Sequence, residues 1–235
     1  MKILLCYVTV TNGAITADYV SRFVGTWLAF PPGVQHETIV ACNGGPPSRE
    51  IALMFDPLGA TFYPKPNDAG WDIGAYQDIA HRYGCDMLVC MGESCYFHRE
   101  GWLKKIVDAW DFNGPGMYGF FSSYLVSAHM NTTAFATAPM YLQRYPRVTS
   151  HKDRYTFEHH ETEAFWRKVH AMGRPTKFVT WDGVWDPFQW RYPPNILFRG
   201  DQSNLLIYCN HTDRYRAADL PTRAGWERAT DSAFK

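Results

Sequence analysis

The most constraining feature of the sequence is a short apolar run, Met87–Met91, which ends at Gly92 and is followed by Glu93. Apolar residues at successive positions leave no face of a strand for solvent, and this is typical of a central strand in a parallel sheet. Such sheets bind ligands just beyond the carboxyl ends of their strands. We therefore expect Glu93 to lie at the floor of a binding site.

Strand-like and helix-like segments alternate through the first half of the chain. Predicted strands cover 3–11, 37–42, 60–63 and 87–91, and predicted helices cover 17–29, 48–55, 72–83 and 101–111. This alternation is typical of βαβ units with a mostly parallel sheet. The sequence therefore predicts a single α/β domain.

The second half is less periodic. We predict a strand over 116–123, a helix over 135–145, a loop over 147–154, a helix over 157–172, an edge strand over 177–181, a short strand or helix over 205–209, and a loosely packed tail after Arg216. This interpretation puts Glu158, Glu161 and Glu163 in the first turn of a helix, where the helix dipole favours carboxylates.

Composition argues against several classes of protein. Lys plus Arg and Asp plus Glu both number 23, so the formal net charge is zero, without the basic excess of a nucleic-acid-binding domain. The six cysteines form no Cys-x-x-Cys pair, which favours free thiols in a reducing compartment. No apolar run reaches the ~20 residues that a transmembrane helix needs. We expect a cytoplasmic protein with no nucleic-acid partner and no transmembrane segment.

The candidates for chemistry are a set of carboxylates and one histidine: Asp72, Glu93, Glu158, Glu161, Asp213 and His211. A strand-end carboxylate can bind a cation or meet a diphosphate-bearing substrate, and a carboxylate on a later helix can act as a general base. The structural alternatives are a helix N-cap for Asp72 and dipole stabilisation for the glutamates. His159 and His160 beside Glu161 suggest a metal site, but adjacent helical residues point to different faces.

Aromatic residues concentrate in an irregular stretch near the end of the chain: Trp181, Trp185, Phe188, Trp190 and Tyr192. Aromatic side chains combine a large apolar face with, in tryptophan and tyrosine, a polar group. The cluster is suited either to binding a sugar ring or to the core, and the sequence leaves both open.

Several stretches resemble GT-A-type glycosyltransferases, notably the bacterial and viral group near rhamnan-synthesis proteins. Segment 66–76 (Pro-Asn-Asp-Ala-Gly-Trp-Asp-Ile-Gly-Ala-Tyr) is similar to the Asn-x-Gly-Arg-Asp-Ile-Gly segment of that group. Segment 86–102 resembles the strand that carries the DxD motif, and segments 157–160, 200–206 and 211–215 resemble the acceptor side. The resemblance covers nearly all of the chain up to Tyr215.

The resemblance implies a GT-A-like αβα sandwich with a nucleotide-binding half over 1–100, an acceptor-binding half over 101–215 and a tail over 216–235. It implies a hexosyltransferase of polysaccharide biosynthesis that transfers a sugar from a nucleotide-sugar donor to a glycan, a lipid-linked acceptor or another hydroxyl. A divalent cation, Mn²⁺ or Mg²⁺, would assist. We expect an inverting reaction, since a lone base is easier to find here than a nucleophile.

Site residues follow by position. Glu158 would be the general base, with Glu161 in reserve. Glu93 and His211 would bind the metal. The nucleotide-sugar would contact Thr9, Thr11, Asn43, Asp72, Glu93 and Ser94, and the acceptor would contact Trp181, Trp185 and Trp190.

Two departures from the family pattern keep alternatives open. Gly92-Glu93-Ser94-Cys95 retains one carboxylate in place of DxD, and Trp71 replaces a basic residue. The chain is therefore either metal-dependent, metal-independent, or an inactive nucleotide-sugar or glycan-binding module of the same fold. A nucleotidyltransferase is a more distant alternative, because segment 9–13 lacks the Arg or Lys of a phosphate-binding loop.

Overall fold

The computed structural model describes residues 1–11, 13, 15–67, 69–191 and 194–232. Of the segments above, Asn12, Asp68, Tyr192 and residues 233–235 of the tail therefore lie outside the described residues. The strands are β1 Ile3–Val10, β2 Glu37–Asn43, β3 Thr61–Lys65, β4 Met87–Met91, β5 Met117–Gly119, β6 Ser122–Ser123, β7 His129–Met130, β8 Ala134–Thr137, β9 Thr176–Val179 and β10 Val184–Trp185. The helices are α1 Thr16–Ala29, α2 Arg49–Phe55, α3 Trp71–Arg82, α4 Trp102–Asn113, α5 Pro139–Arg144, α6 His151–His159, α7 Phe165–Ala171, α8 Asn210–Ala217 and α9 Leu220–Ser232.

One large sheet organises the molecule. Within the described residues it contains eight strands in the order β10-β9-β5-β8-β4-β1-β2-β3. Strand β1 pairs in parallel with β2 and β4, β2 pairs in parallel with β3, and β5 pairs in parallel with β9. Strands β8 and β10 run antiparallel to their neighbours. The predicted α/β fold with a mostly parallel central sheet is confirmed.

The middle of this sheet is buried on both faces. Every residue of β4 is buried, and so is β1 from Ile3 to Thr9. Helices α1 and α3 both contact β1, and the ring centroid of Tyr7 lies 4.1 Å from that of Phe23 in α1. An unbroken apolar run predicts this environment well, because a strand covered on both faces has no polar side.

The prediction of a helix over 135–145 was wrong for its first residues, which form the antiparallel strand β8. Residues 134–137 pair with both β4 and β5, and the helix begins only at Pro139, where the fixed φ of proline suits a first helical turn. A short apolar run does not distinguish a strand from a buried helix. The loop before β8 consequently lies beside the carboxyl end of β4, where Gly92 N donates to Thr133 O over 2.7 Å.

The helices after Pro146 also differ from the prediction. Helix α6 begins at His151, after a capping box in which Ser150 and Asp153 exchange side-chain to backbone hydrogen bonds, and α7 begins only at Phe165. The predictions of a loop over 147–154 and of a single helix over 157–172 were therefore wrong. Glu158 lies in the last turn of α6, and Glu161 lies between the two helices, so neither is in a first turn.

The end of the chain is more ordered than predicted. Segment 205–209 forms isolated bridges, including Thr180 with Leu205, but no helix or longer strand. The tail forms α9, and the ring centroid of Trp226 lies 5.3 Å from that of Phe198. The prediction of a loosely packed tail was therefore wrong. The six cysteines are free thiols. Across the described ranges, no helix combines the length and apolarity needed to cross a membrane.

Candidate functional site

Glu93 joins the carboxyl ends of β1 and β4. Its Oε1 accepts hydrogen bonds from Thr9 Oγ1 at 2.6 Å and from Val10 N at 3.1 Å. The hydroxyl of Tyr7 donates to the backbone oxygen of Glu93 at 2.7 Å. The predicted residues Thr9 and Glu93 thus meet at the expected edge of the sheet, where buried Thr9 orients the glutamate.

A second connection runs from the end of β2 to the start of α3. Thr11 Oγ1 donates to Asn43 O at 3.0 Å, and Asn43 Nδ2 donates to Trp71 O at 3.1 Å. Asn43 is 1% exposed, and its Oδ1 has no hydrogen-bond partner among the described residues. Ser94 is also buried. These side chains lie at the carboxyl edge of the sheet, and their contact with a nucleotide stays a prediction.

Beside this edge the structure has an open cavity of about 390 Å³. It lies between the β6–β7 hairpin, α6 and α8. Its lining includes seven histidine, arginine and glutamate residues: His129, His151, Arg154, Glu158, His159, His211 and Arg214. The cavity therefore offers imidazoles, two guanidinium groups and a carboxylate to one ligand.

Glu158 is the carboxylate of this cavity. Its Oε1 accepts a hydrogen bond from Thr132 N at 3.1 Å, which ties the end of α6 to the loop before β8. The residue is 9% exposed. Glu161 is exposed and does not line the cavity, so the geometry separates the two glutamates that the sequence placed together.

Asp72 lies close to Arg154, one of the two arginines that line the cavity. Arg154 Nε is 3.7 Å from Asp72 Oδ1, which also accepts from Ile73 N at 3.0 Å. Burial raises the pKa of Asp72, and the charge of Arg154 opposes that shift. The N-cap of α3 is Gly70, so Asp72 belongs to the first turn and is not the N-cap.

Three side chains approach one another closely enough to share a cation. The group consists of His129, Glu158 and His159, each offering one nitrogen or oxygen atom, and these three atoms lie within 4.8 Å of one another. Among the described residues, no other histidine, cysteine or carboxylate group of three is as compact. Nε2 of His129 is 3.8 Å from Glu158 Oε1, and Nε2 of His159 is 3.7 Å from Oε2. His129 could not be identified from the sequence, because the hairpin and α6 meet only through tertiary packing.

Burial governs the protonation of these histidines. It lowers the pKa of His129 to about 4, although the negative charge of Glu158 opposes the shift. Burial also lowers the pKa of His159 and of His211, again against the charge of Glu158. All three imidazoles are therefore neutral near pH 7, which is the form that binds metals.

The two residues predicted to bind a metal, Glu93 and His211, do not line the same cavity. His211, in the first turn of α8, lines the cavity, whereas Glu93 is not among its lining residues. Asp213 accepts hydrogen bonds from Arg22, at 2.6 Å, and from Tyr96. Asp213 therefore connects α8 with α1. A cation shared by Glu93 and His211 stays a prediction.

The predicted acceptor tryptophans have three different environments. Trp190 is fully buried and its Nε1 donates to Trp185 O at 3.0 Å, so it belongs to the core. Trp185 is partly exposed, and its Nε1 donates to Thr180 Oγ1 at 3.1 Å. Trp181 is 8% exposed and lies under the guanidinium group of Arg99. Trp181 is thus also part of the buried core, and Trp185 is the most exposed of the three. Contact of these tryptophans with an acceptor stays a prediction.

The shifted pKa of His129 predicts a stability that depends on pH. Between about pH 6.5 and 4, the unfolded chain protonates this histidine while the folded chain keeps it neutral. The folded state therefore loses stability as pH falls through this window, by up to about 3 kcal/mol from this residue. Urea unfolding of metal-free protein should show a smaller loss in His129→Gln than in wild type. The exposed His170→Gln variant should keep the wild-type slope, and equal slopes in all three proteins would contradict the assignment.

Comparison with known proteins adds little to this site. No model of a protein family matches the sequence, and no curated protein matches it either. Solved structures with partial similarity include a cytidylyltransferase from Leptospira borgpetersenii (12% identity, TM-score 0.46, covering 62% of this chain and 63% of that chain). TarS of S. aureus shows 12% identity and a TM-score of 0.47 over 71% of this chain and 32% of its own.

A third similar structure is the mannosyltransferase PcManGT from Pyrobaculum calidifontis, solved with GDP-Man and Mn²⁺, at 9% identity and a TM-score of 0.46 over 62% of this chain and 47% of its own. The present chain thus spans between 32% and 63% of the length of these three structures. At TM-scores of 0.46 and 0.47, the similarities do not establish a shared family or activity.

Proposed function

We propose that the chain is a glycosyltransferase that moves a sugar from a nucleoside-diphosphate donor to a hydroxyl acceptor with inversion. The observation that carries this proposal is the position of Glu158 in an open cavity beside Arg154 and Arg214. The cavity adjoins the sheet edge formed by β1, β2 and β4, where ligands of α/β proteins bind. Its volume of about 390 Å³ is in the range of small-ligand sites.

The charges in the cavity match the two demands of the reaction. The departing nucleoside diphosphate carries negative charge, which Arg154 and Arg214 are placed to stabilise. The acceptor hydroxyl must lose its proton, and Glu158 is the cavity carboxylate that can receive it. In one displacement, the bond between the sugar and the diphosphate breaks as the bond to the acceptor oxygen forms, and the proton moves to Glu158.

The metal pair predicted from the sequence fits this arrangement poorly. Oε1 of Glu93 already accepts two hydrogen bonds from β1, and the side chain does not line the cavity with His211. We therefore assign no step to a cation held by Glu93 and His211. The arginines supply the positive charge that the diphosphate requires, without Glu93.

The second candidate function is a binding module of the same fold without transferase activity. Glu93 favours it, because the only carboxylate of segment 92–95 is engaged by β1. Such a module would bind the same nucleotide-sugar through the arginines but would not turn it over. The narrower resemblance to the rhamnan-synthesis group belongs to the first candidate, with a glycan or lipid-linked acceptor.

A thermal-shift screen with nucleotide-sugars, each with and without Mn²⁺, tests the binding step common to both candidates. A ligand at ~100 times its Kd adds ~2.7 kcal/mol of stability, which raises the Tm of a chain of this size by about 5–10 °C. Arg154→Gln should remove most of the shift, whereas the exposed Arg228→Gln in α9 should retain it. No shift with any donor would overturn the proposal, and donor binding with neither transfer nor hydrolysis would select the binding module.

A further inference from the structure

His129, Glu158 and His159 form a compact set of two imidazoles and one carboxylate on the wall of the cavity. We propose that this set binds one divalent transition-metal ion of the zinc class. The set shares no residue with the Glu93–His211 pair predicted from the sequence. The proposal does not rest on sugar transfer, since binding of the ion is measured without donor or acceptor.

The orientation of His129 is fixed for ligation. Its Nδ1 lies 2.7 Å from Ser127 O, and because a carbonyl oxygen only accepts, Nδ1 must carry the proton. The lone pair of the neutral ring is then on Nε2, which faces Glu158 Oε1 at 3.8 Å. A backbone carbonyl that sets the tautomer of an imidazole is the usual support of a metal-binding histidine.

His159 completes the set from the other side of Glu158. Its Nε2 is 3.7 Å from Oε2, too far for a hydrogen bond, and its Nδ1 is buried with no partner among the described residues. Two imidazoles therefore flank the carboxylate without bonding to it. Ligands ~2.0–2.1 Å from a tetrahedral zinc ion stand roughly 3.4 Å apart. The three ligand atoms, one from each side chain, lie within 4.8 Å of one another, so side-chain rotation has to close the set by at most about 1.4 Å.

The ligand types select the class of ion. Two imidazoles with one carboxylate are a ligand set of catalytic zinc, which keeps its fourth position open, whereas Mg²⁺ and Ca²⁺ prefer oxygen ligands. The side chains of His129 and Glu158 are 5% and 11% exposed, so a bound ion is shielded from bulk water while the cavity gives access to its open position. With the ion bound, Glu158 is a ligand, and a hydroxyl at the open position would lose its proton more readily.

Metal binding can be measured directly on the full chain, purified without a polyhistidine tag and freed of metal by a chelator. Titration calorimetry with Zn²⁺ should show one ion per chain, and Co²⁺ should give the visible absorption of a tetrahedral site with nitrogen and oxygen ligands. His129→Gln, Glu158→Gln and His159→Gln should each weaken Zn²⁺ binding by at least ~100-fold. His170→Gln, on the exposed face of α7, is the matched control and should bind as wild type.

Circular dichroism and thermal melting of each variant establish that it is folded. An absence of Zn²⁺ and Co²⁺ binding by the wild-type chain would overturn the proposal and leave Glu158 as a free base. So would binding that persists unchanged in the three variants, or a Co²⁺ spectrum with thiolate charge-transfer bands, which would assign the ion to cysteines. Failure of the donor screen, in contrast, would leave this proposal untouched.

Discussion

Glu158→Gln should lower the rate of sugar transfer by at least ~100-fold while leaving the Kd for the donor within about twofold of wild type. Glutamine has the shape of glutamate but accepts no proton from the acceptor hydroxyl. Its amide oxygen can still accept the hydrogen bond that Thr132 N now donates at 3.1 Å, so the end of α6 keeps its anchor. Steady-state rates and donor titrations on the same preparations measure the two quantities.

The control for this variant is Glu100→Gln, an exposed glutamate in the turn before α4, which should transfer at the wild-type rate. Full activity in Glu158→Gln would remove the assignment of the base. A loss confined to Glu161→Gln would transfer that role to the reserve candidate, despite its exposed position between α6 and α7. Loss of donor affinity together with rate would mean that Glu158 positions the donor.

The histidine variants separate the two possible roles of Glu158. If Glu158 acts only as a base, His129→Gln and His159→Gln should retain transfer within about tenfold, since neither imidazole hydrogen-bonds to the carboxylate. If the three residues hold a cation that the reaction uses, all three variants should lose transfer to a similar degree. Added Zn²⁺ would then restore the wild-type apoprotein but none of the variants.

The sequence predicted the central strands well and the cavity only in part. Met87–Met91 was identified correctly because a strand buried on both faces has a purely local signature, an apolar run that ends at glycine. Phe135 was misplaced in a helix because its strand is short and its pairing with β4 and β5 is not local. The signals for the true α6 were present, since Ser150 and Asp153 have the spacing of a capping box.

The same distinction explains which site residues were found. Glu158 was proposed from its position in a resembling segment, but its helix was begun too late and its neighbours were therefore wrong. His129 approaches Glu158 only because the β6–β7 hairpin folds back beside α6, and no local pattern encodes that contact. His159 was set aside because adjacent helical residues diverge. That rule gave the wrong expectation for the last turn of α6, where His159 and Glu158 both reach the cavity.

Gly70→Ala should produce the largest loss of stability among conservative substitutions near the site. Gly70 has a φ of +76°, in the left-handed region that favours glycine. A Cβ at this position would lie 2.2 Å from the backbone oxygen of Val148. That segment cannot retreat freely, because Gln77 accepts a hydrogen bond from Val148 N at 3.0 Å and donates to Pro146 O at 3.0 Å.

The clash and the unfavourable φ together should cost about 3 kcal/mol or more, which lowers the Tm of a chain of this size by roughly 6–12 °C. Gly84→Ala is the matched control, because Gly84 is exposed and a Cβ there meets no atom within 4 Å; it should change stability by less than about 0.5 kcal/mol. Relief of the clash must move the segment before α6 away from α3. Since those helices carry Arg154 and Asp72, donor affinity should fall in Gly70→Ala even at temperatures where the variant is folded. Equal Tm values for the two alanine variants would show that the close approach of Gly70 to Val148 does not constrain the packing of α3 against the segment before α6.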